Sequence, residues 1–167
     1  MVDSGNTSPR TVMAVALRLD SGSVLLKRWL GCWIDMIVVA ACLFGPFLLL
    51  SALGQESVGS WLGALAAIAY FPVSEGLWGR TVGKLVTGLV VVDAKGNRPG
   101  LLRATGRTVT RMIEVNPFLL GGLPAGLIVF ASKRRQRLGD MLAGTYVIPK
   151  ADLARLRSAN QDALTQD

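Results

Sequence analysis

The 167-residue chain has no histidine and only two cysteines. The first absence removes Ser-His-Asp and Cys-His nucleophile sets, and with so few thiols it removes the usual zinc arrangements as well. Cys32 and Cys42 both fall in one apolar run. Ten positions on a helix place them about 15 Å apart, far beyond disulfide reach, so they read as free, reduced packing residues. Charge is also scarce, at 17% of residues against 51% hydrophobic ones, and mean hydropathy is +0.44. Such a composition does not suit a small soluble domain and points to the membrane. The carboxylates are scattered, so the chain is expected not to be an enzyme and to need no cofactor or metal.

What charge there is runs mostly to one sign, with a net +7 and pI ≈ 10.1. The basic residues crowd beside apolar runs, where cytoplasmic loops carry them, and no nucleic acid partner is expected. Anionic lipid headgroups are. Met1 to Ser23 is polar and broken, and its one apolar patch, "TVMAVALRL", is too short and lacks a small-residue cleavage site. No cleavable signal peptide is expected, which leaves insertion to the internal apolar segments.

Two of those segments, about 29–53 and 58–78, reach the roughly 20 residues that a bilayer crossing requires. Trp29, Trp33, Trp61 and Trp78 sit near their ends like an interfacial belt, and Gly45-Pro46 and Pro72 are expected kinks. The connecting "GQES" has no Lys or Arg, while Arg10, Arg18, Lys27 and Arg28 precede the first span and Arg80 and Lys84 follow the second. By the positive-inside rule both ends of this hairpin face the cytoplasm. Beyond Trp78, Leu89 to Val92 reads as a strand closed by a "DAKGN" turn, expected to pair with Tyr146 to Ile148 in a small cytoplasmic β-ladder. "LLRATGRTVTRMIEV" reads as a helix with Arg103, Arg107 and Arg111 on one face. The apolar segment at about 115–131 is short and broken by Pro117, Gly121-Gly122 and Pro124, and is followed by "KRRQR" with Arg134, Arg135 and Arg137. A full crossing would put that basic run outside, so a re-entrant hairpin is the first reading and a third broken span the second. The fold class is thus an all-α membrane protein with two transmembrane helices, a re-entrant or third broken helix, and the β-ladder. A tail at 1–24, a membrane domain at 25–150 and a polar tail at 151–167, expected to be frayed, divide the chain.

Three motifs carry a family resemblance: Arg28 and Asp35 at the head of the first span, "GRTVGKLVTGLVVVDAKGNRP" after the second, and "RRQRLGDMLAGTYVI" near the end. The chain resembles the RDD family of small bacterial membrane proteins from about Leu25 to Pro149. The family's name-giving arginine and two aspartates map by motif onto Arg28, Asp35 and Asp140. The resemblance implies an inner-membrane, multi-pass protein, with transport of unidentified ligands the usual suggestion and cation/proton exchange proposed for some members.

Asp35 lies seven residues, about 10.5 Å of helix, beyond Arg28 and some 9 Å inside the apolar run. At the centre of a membrane helix an aspartate costs roughly 2.5–3.5 kcal/mol, so a basic partner is expected, Arg28 or an arginine of the 103/107/111 face, or else protonation. A buried ion pair locking the hairpin and a role in ion or ligand passage both fit. Glu75 reads either as an interfacial partner of Arg80 or as a polar lining group. Asp140 reads as a cap or turn aspartate bonded to nearby amides, or as a partner of Arg134, Arg135 or Arg137. "GRTVGKL" is not a phosphate loop, since three residues rather than four separate Gly79 from Gly83-Lys84, and Leu85 replaces the required Ser or Thr. Two functions remain: transport of an ion or small ligand along a path of Arg28, Asp35, Glu75 and Asp140, or a non-transporting scaffold or accessory subunit. In the second, the basic face of Arg103, Arg107, Arg111, Arg134, Arg135 and Arg137 binds lipid or a partner protein. Two spans and a hairpin hardly enclose a path, so a homo-oligomer or a membrane partner is expected.

Overall fold

The computed structural model describes residues 11–19, 21–114 and 136–165. The long apolar runs form its main body, a helical hairpin. A short helix, α1 (Val12–Arg18), is capped by the Thr11 hydroxyl and followed by α2 (Ser21–Ser51) and α3 (Glu56–Trp78). Because α2 begins well before Trp29, Lys27 and Arg28 ride on the helix instead of preceding it. Pro46 and Pro72 lie inside α2 and α3 without ending them. Both helices are long and apolar enough to cross a membrane. Their outward surface is apolar as well: Ile37, Leu49 and Trp61 are 69%, 72% and 72% exposed, where a helix facing water would carry polar residues.

The two helices run antiparallel and meet through glycine. A Cβ on Gly59 would lie 2.7 Å from the Pro46 carbonyl oxygen, and one on Gly63 would strike the Leu43 carbonyl. Small residues let helix backbones approach this closely, and in hydrocarbon that packing replaces the hydrophobic drive. Gly79 ends α3 in the left-handed conformation, with φ 68°, which a residue with a Cβ rarely adopts. The chain then turns into α4 (Val82–Val86), β1 (Leu89–Asp93) and α5 (Gly100–Glu114). After residues 115–135 come α6 (Leu138–Leu142), β2 (Thr145–Pro149) and α7 (Lys150–Leu164).

β1 and β2 pair antiparallel, with Leu89 opposite Pro149, Val91 opposite Val147 and Asp93 opposite Thr145. The ladder is the one expected from the β-branched runs, slightly extended. Asp93 closes the turn after β1, its Oδ1 accepting from the Lys95 and Asn97 amides at 2.9 Å each. The polar tail departs from expectation. Instead of fraying it forms α7, because Leu153 and Leu156, one turn apart, bury against Val12, Ala16, Tyr146 and Ile148. Arg157 adds a hydrogen bond to the Gly96 carbonyl at 2.9 Å. The re-entrant or third broken helix expected at about 115–131 lies outside the described residues.

Candidate functional site

Among the described residues three buried carboxylates lie on or beside the hairpin, and each is held differently. Asp35 of α2 is 4% exposed. Its Oδ1 accepts from the Tyr70 hydroxyl at 2.7 Å and the Gly83 amide at 2.8 Å, and its Oδ2 from the Thr81 hydroxyl at 2.7 Å. The Tyr70 oxygen in turn accepts from the Val82 amide at 3.0 Å. The expectation of a basic partner is therefore corrected: Asp35 is satisfied by neutral donors, and Arg28 turns elsewhere. The "GRTVGKL" motif makes this possible. Thr81 caps α4 and aims its own hydroxyl and the Gly83 amide at the carboxylate, while Gly83 lies so close to Gly31 that a Cβ on it would strike the Gly31 carbonyl. An exposed amide of the kind that binds phosphate elsewhere here binds an internal carboxylate.

Glu75 of α3 is fully buried. Lys84 Nζ lies 2.5 Å and Arg111 Nη2 2.7 Å from its Oε1, and Arg107 Nε 2.9 Å from its Oε2. Arg80, the partner expected from proximity in sequence, is not among these; three cations from α4 and α5 take its place. Arg111 is further fixed by the Phe71 ring, whose centroid is 4.0 Å from its guanidinium carbon.

Asp140 of α6 is the third. Arg28 Nη2 donates to its Oδ2 at 2.6 Å and the Arg137 amide to the same oxygen at 3.1 Å, while Arg107 Nη1 pairs with Oδ1. The cap reading is realised through the Arg137 amide, whereas the ion-pair partners expected from proximity in sequence are corrected: Arg28 and Arg107, from α2 and α5, are the cations, and Arg137 bonds to Asp140 through its backbone. Arg107 also donates to the Thr145 hydroxyl at 2.5 Å, so one guanidinium bridges Glu75, Asp140 and β2. The arginine face of α5 divides: Arg107 and Arg111 turn inward, and Arg103, with a half-exposed side chain, makes only a 3.6 Å contact with Asp93. Arg134 and Arg135 lie outside the described residues.

The electrostatics of the cluster follow from this geometry. Burial alone would raise Asp140, but Arg107, Arg28 and Arg137, helped by the Arg137 amide, outweigh it and hold the carboxyl at about 2. Burial pulls Lys84 down to about 8 against the attraction of Glu75. Burial and the guanidinium of Arg111 push Arg137 below the ordinary arginine range, and its Nε is buried with no hydrogen-bond partner among the described residues.

Between α2, α3 and this cluster lies a cavity of about 270 Å³. Six basic residues line it: Lys27, Arg28, Lys84, Arg107, Arg111 and Arg137. Asp35 is the one carboxylate in its wall among the described residues, and Glu75 and Asp140 stand behind it, bonded to Arg28, Lys84, Arg107 and Arg111. Among the described residues, six cations against three carboxylates leave a surplus of positive charge. No group of acidic or cysteine side chains suited to a metal occurs among the described residues. Sequence reasoning names Arg28, Asp35, Glu75 and Asp140 but misses Tyr70, Thr81 and Lys84 as their partners. Thr81 and Lys84 both lie within "GRTVGKL", where a Thr placed to cap a short helix was the available signal.

No curated protein and no solved structure matches the chain. A family model described as the RDD family matches residues 23–144.

Proposed function

Given that this chain belongs to the RDD family, whose match together with the two apolar helices points to a membrane protein, we propose that it takes an anionic small ligand into the cationic cavity, in a transport-type role. The observation that carries this reading is the surplus of cations around one 270 Å³ space. The buried carboxylates already have their partners, so the positive charge left over is available to a ligand. A path for cations is less well supported. Glu75 and Asp140 each accept from basic groups on several elements, and releasing either for cation binding breaks the packing of α3 or α6 on α5. In this reading both ends of the hairpin face the cytoplasm of a bacterial inner membrane, "GQES" faces outward, and the cationic end of the cavity opens at the cytoplasmic boundary, as the Lys/Arg asymmetry favours. The hairpin alone hardly encloses a path, so the working unit is an oligomer or an assembly with a membrane partner.

Proteoliposomes of neutral lipid test the role. Uptake of a panel of small anions that falls in the Arg137→Gln variant supports it. Cation uptake indifferent to the anion contradicts it, and absence of any flux leaves the scaffold role.

A further inference from the structure

If the ligand is anionic, as proposed for the function, the shape of the cavity narrows its class further than charge does. The basic residues gather at one end, where Lys27 and Arg28 of α2 meet Lys84, Arg107, Arg111 and Arg137. Phe71, Leu89 and Val147 add apolar wall beside them, and farther along the hairpin Met36 and Val39 of α2 and Ala67 and Ile68 of α3 make the wall apolar throughout. Arg28 and Val39 are eleven residues apart on one helix, about 16 Å along its axis. The space is therefore a slot running from a charged mouth toward the middle of the hairpin.

A free inorganic anion uses only the mouth. At about 30 Å³ per water, 270 Å³ corresponds to about nine waters, several times the bulk of a phosphate, and the apolar half offers water little to bond. Ile68, which lines this part of the cavity, is 58% exposed, so the apolar wall is open and not sealed within the hairpin. A site with cations at headgroup depth and apolar walls toward the bilayer centre matches an amphiphile in both parts.

We propose that the cavity binds an anionic amphiphile of the phospholipid class, with its phosphate between Arg111 and Arg137 and the first part of an acyl chain along Val39, Ala67 and Ile68. Arg111 is steadied by Glu75 and Phe71. Arg137 brings a buried Nε with no partner among the described residues. A phosphate between them accepts charge-assisted hydrogen bonds from both guanidiniums and relieves their mutual repulsion.

The test is native mass spectrometry of the full chain from neutral detergent, with phosphatidylglycerol or phosphatidylcholine supplied in equal amount. In parallel, inorganic phosphate and glycerol phosphate are titrated calorimetrically. Wild type is expected to retain phosphatidylglycerol about tenfold more than phosphatidylcholine, and Arg137→Gln to lose about tenfold of that preference. Ala67→Phe fills the apolar half without touching an ion pair and is expected to reduce retention as strongly; should it fail to fold by circular dichroism, Val39→Trp closes the same space. If the free phosphates bind and the lipid shows no preference, the amphiphile is wrong and the anionic-ligand reading stands. If neither binds, both are wrong. Retention unchanged in the Arg137 and Ala67 variants places the lipid elsewhere and overturns the proposal.

Discussion

Two buried acidic sites in this chain face the same cost and meet it in opposite ways. Asp35 sits in a cradle of neutral donors from Tyr70, Thr81 and the Gly83 amide, whereas Glu75 and Asp140 are bound by guanidiniums and an ammonium from α2, α4 and α5. The cradle ties only α2, α3 and α4 together. The ionic cluster joins both long helices to α5, α6 and β2, and Arg107 is its common member. The cradle thus secures the hairpin, and the cluster docks α5, α6 and β2 onto it.

The largest effect is expected where the cluster is cut at its bridge. Arg107→Leu leaves Glu75 and Asp140 each short of a cation, and loss of one partner of a buried pair costs roughly 3–5 kcal/mol. Thermal melts in detergent should show a large fall; a shift no greater than that of a surface variant would mean that the cluster does not hold the fold. The next effect is on the acid side. The Asp140 carboxyl is held at about 2 against an ordinary 3.8. A depressed carboxylate stabilises the fold above its ordinary value, so about 2 kcal/mol should disappear as pH falls from near 4 toward 2. Asp140→Asn should flatten that part of the stability profile. The cradle should prove more forgiving. Asp35→Asn keeps one oxygen that accepts from Tyr70 and Gly83 and loses the acceptor of the Thr81 hydroxyl, so about 1–2 kcal/mol is expected from denaturant titrations. A loss matching that of Arg107→Leu would erase the distinction between the sites. Least of all, Arg103→Ala should move stability by no more than about 0.5 kcal/mol, because its contact with Asp93 is long and wet.

The same contrast explains what was legible in the sequence. The hairpin, the helix of α5 and the β-ladder follow from uninterrupted apolar runs, helical spacing and β-branched clusters, which are local signals. α7 was not legible: the leucines it buries among the described residues are Leu153 and Leu156, and their worth depends on a surface built by α1 and β2. The acidic residues of the site stand out because carboxylates are rare beside apolar runs, yet their partners do not. Proximity in sequence nominates Arg28 for Asp35 and Arg80 for Glu75. The fold instead joins Arg28 to Asp140 across 112 positions and Arg107 to Glu75 across 32. Asp35's partners were closer to hand, since a Thr and a Gly in "GRTVGKL" are the residues that cap a short helix and expose its first amides.

The cluster divides into cations that hold the fold and cations left over for a ligand. Melting temperatures of Arg107→Gln and Arg137→Gln, measured side by side in neutral detergent at low salt, test that division directly. Arg107 is shared between two carboxylates and Thr145, so its loss should lower the melting point sharply. Arg137 is crowded by like charge, and its bond to Asp140 comes from the backbone amide, which the substitution keeps. Its variant should melt at or above the wild-type temperature, and an equal fall in both would contradict the division.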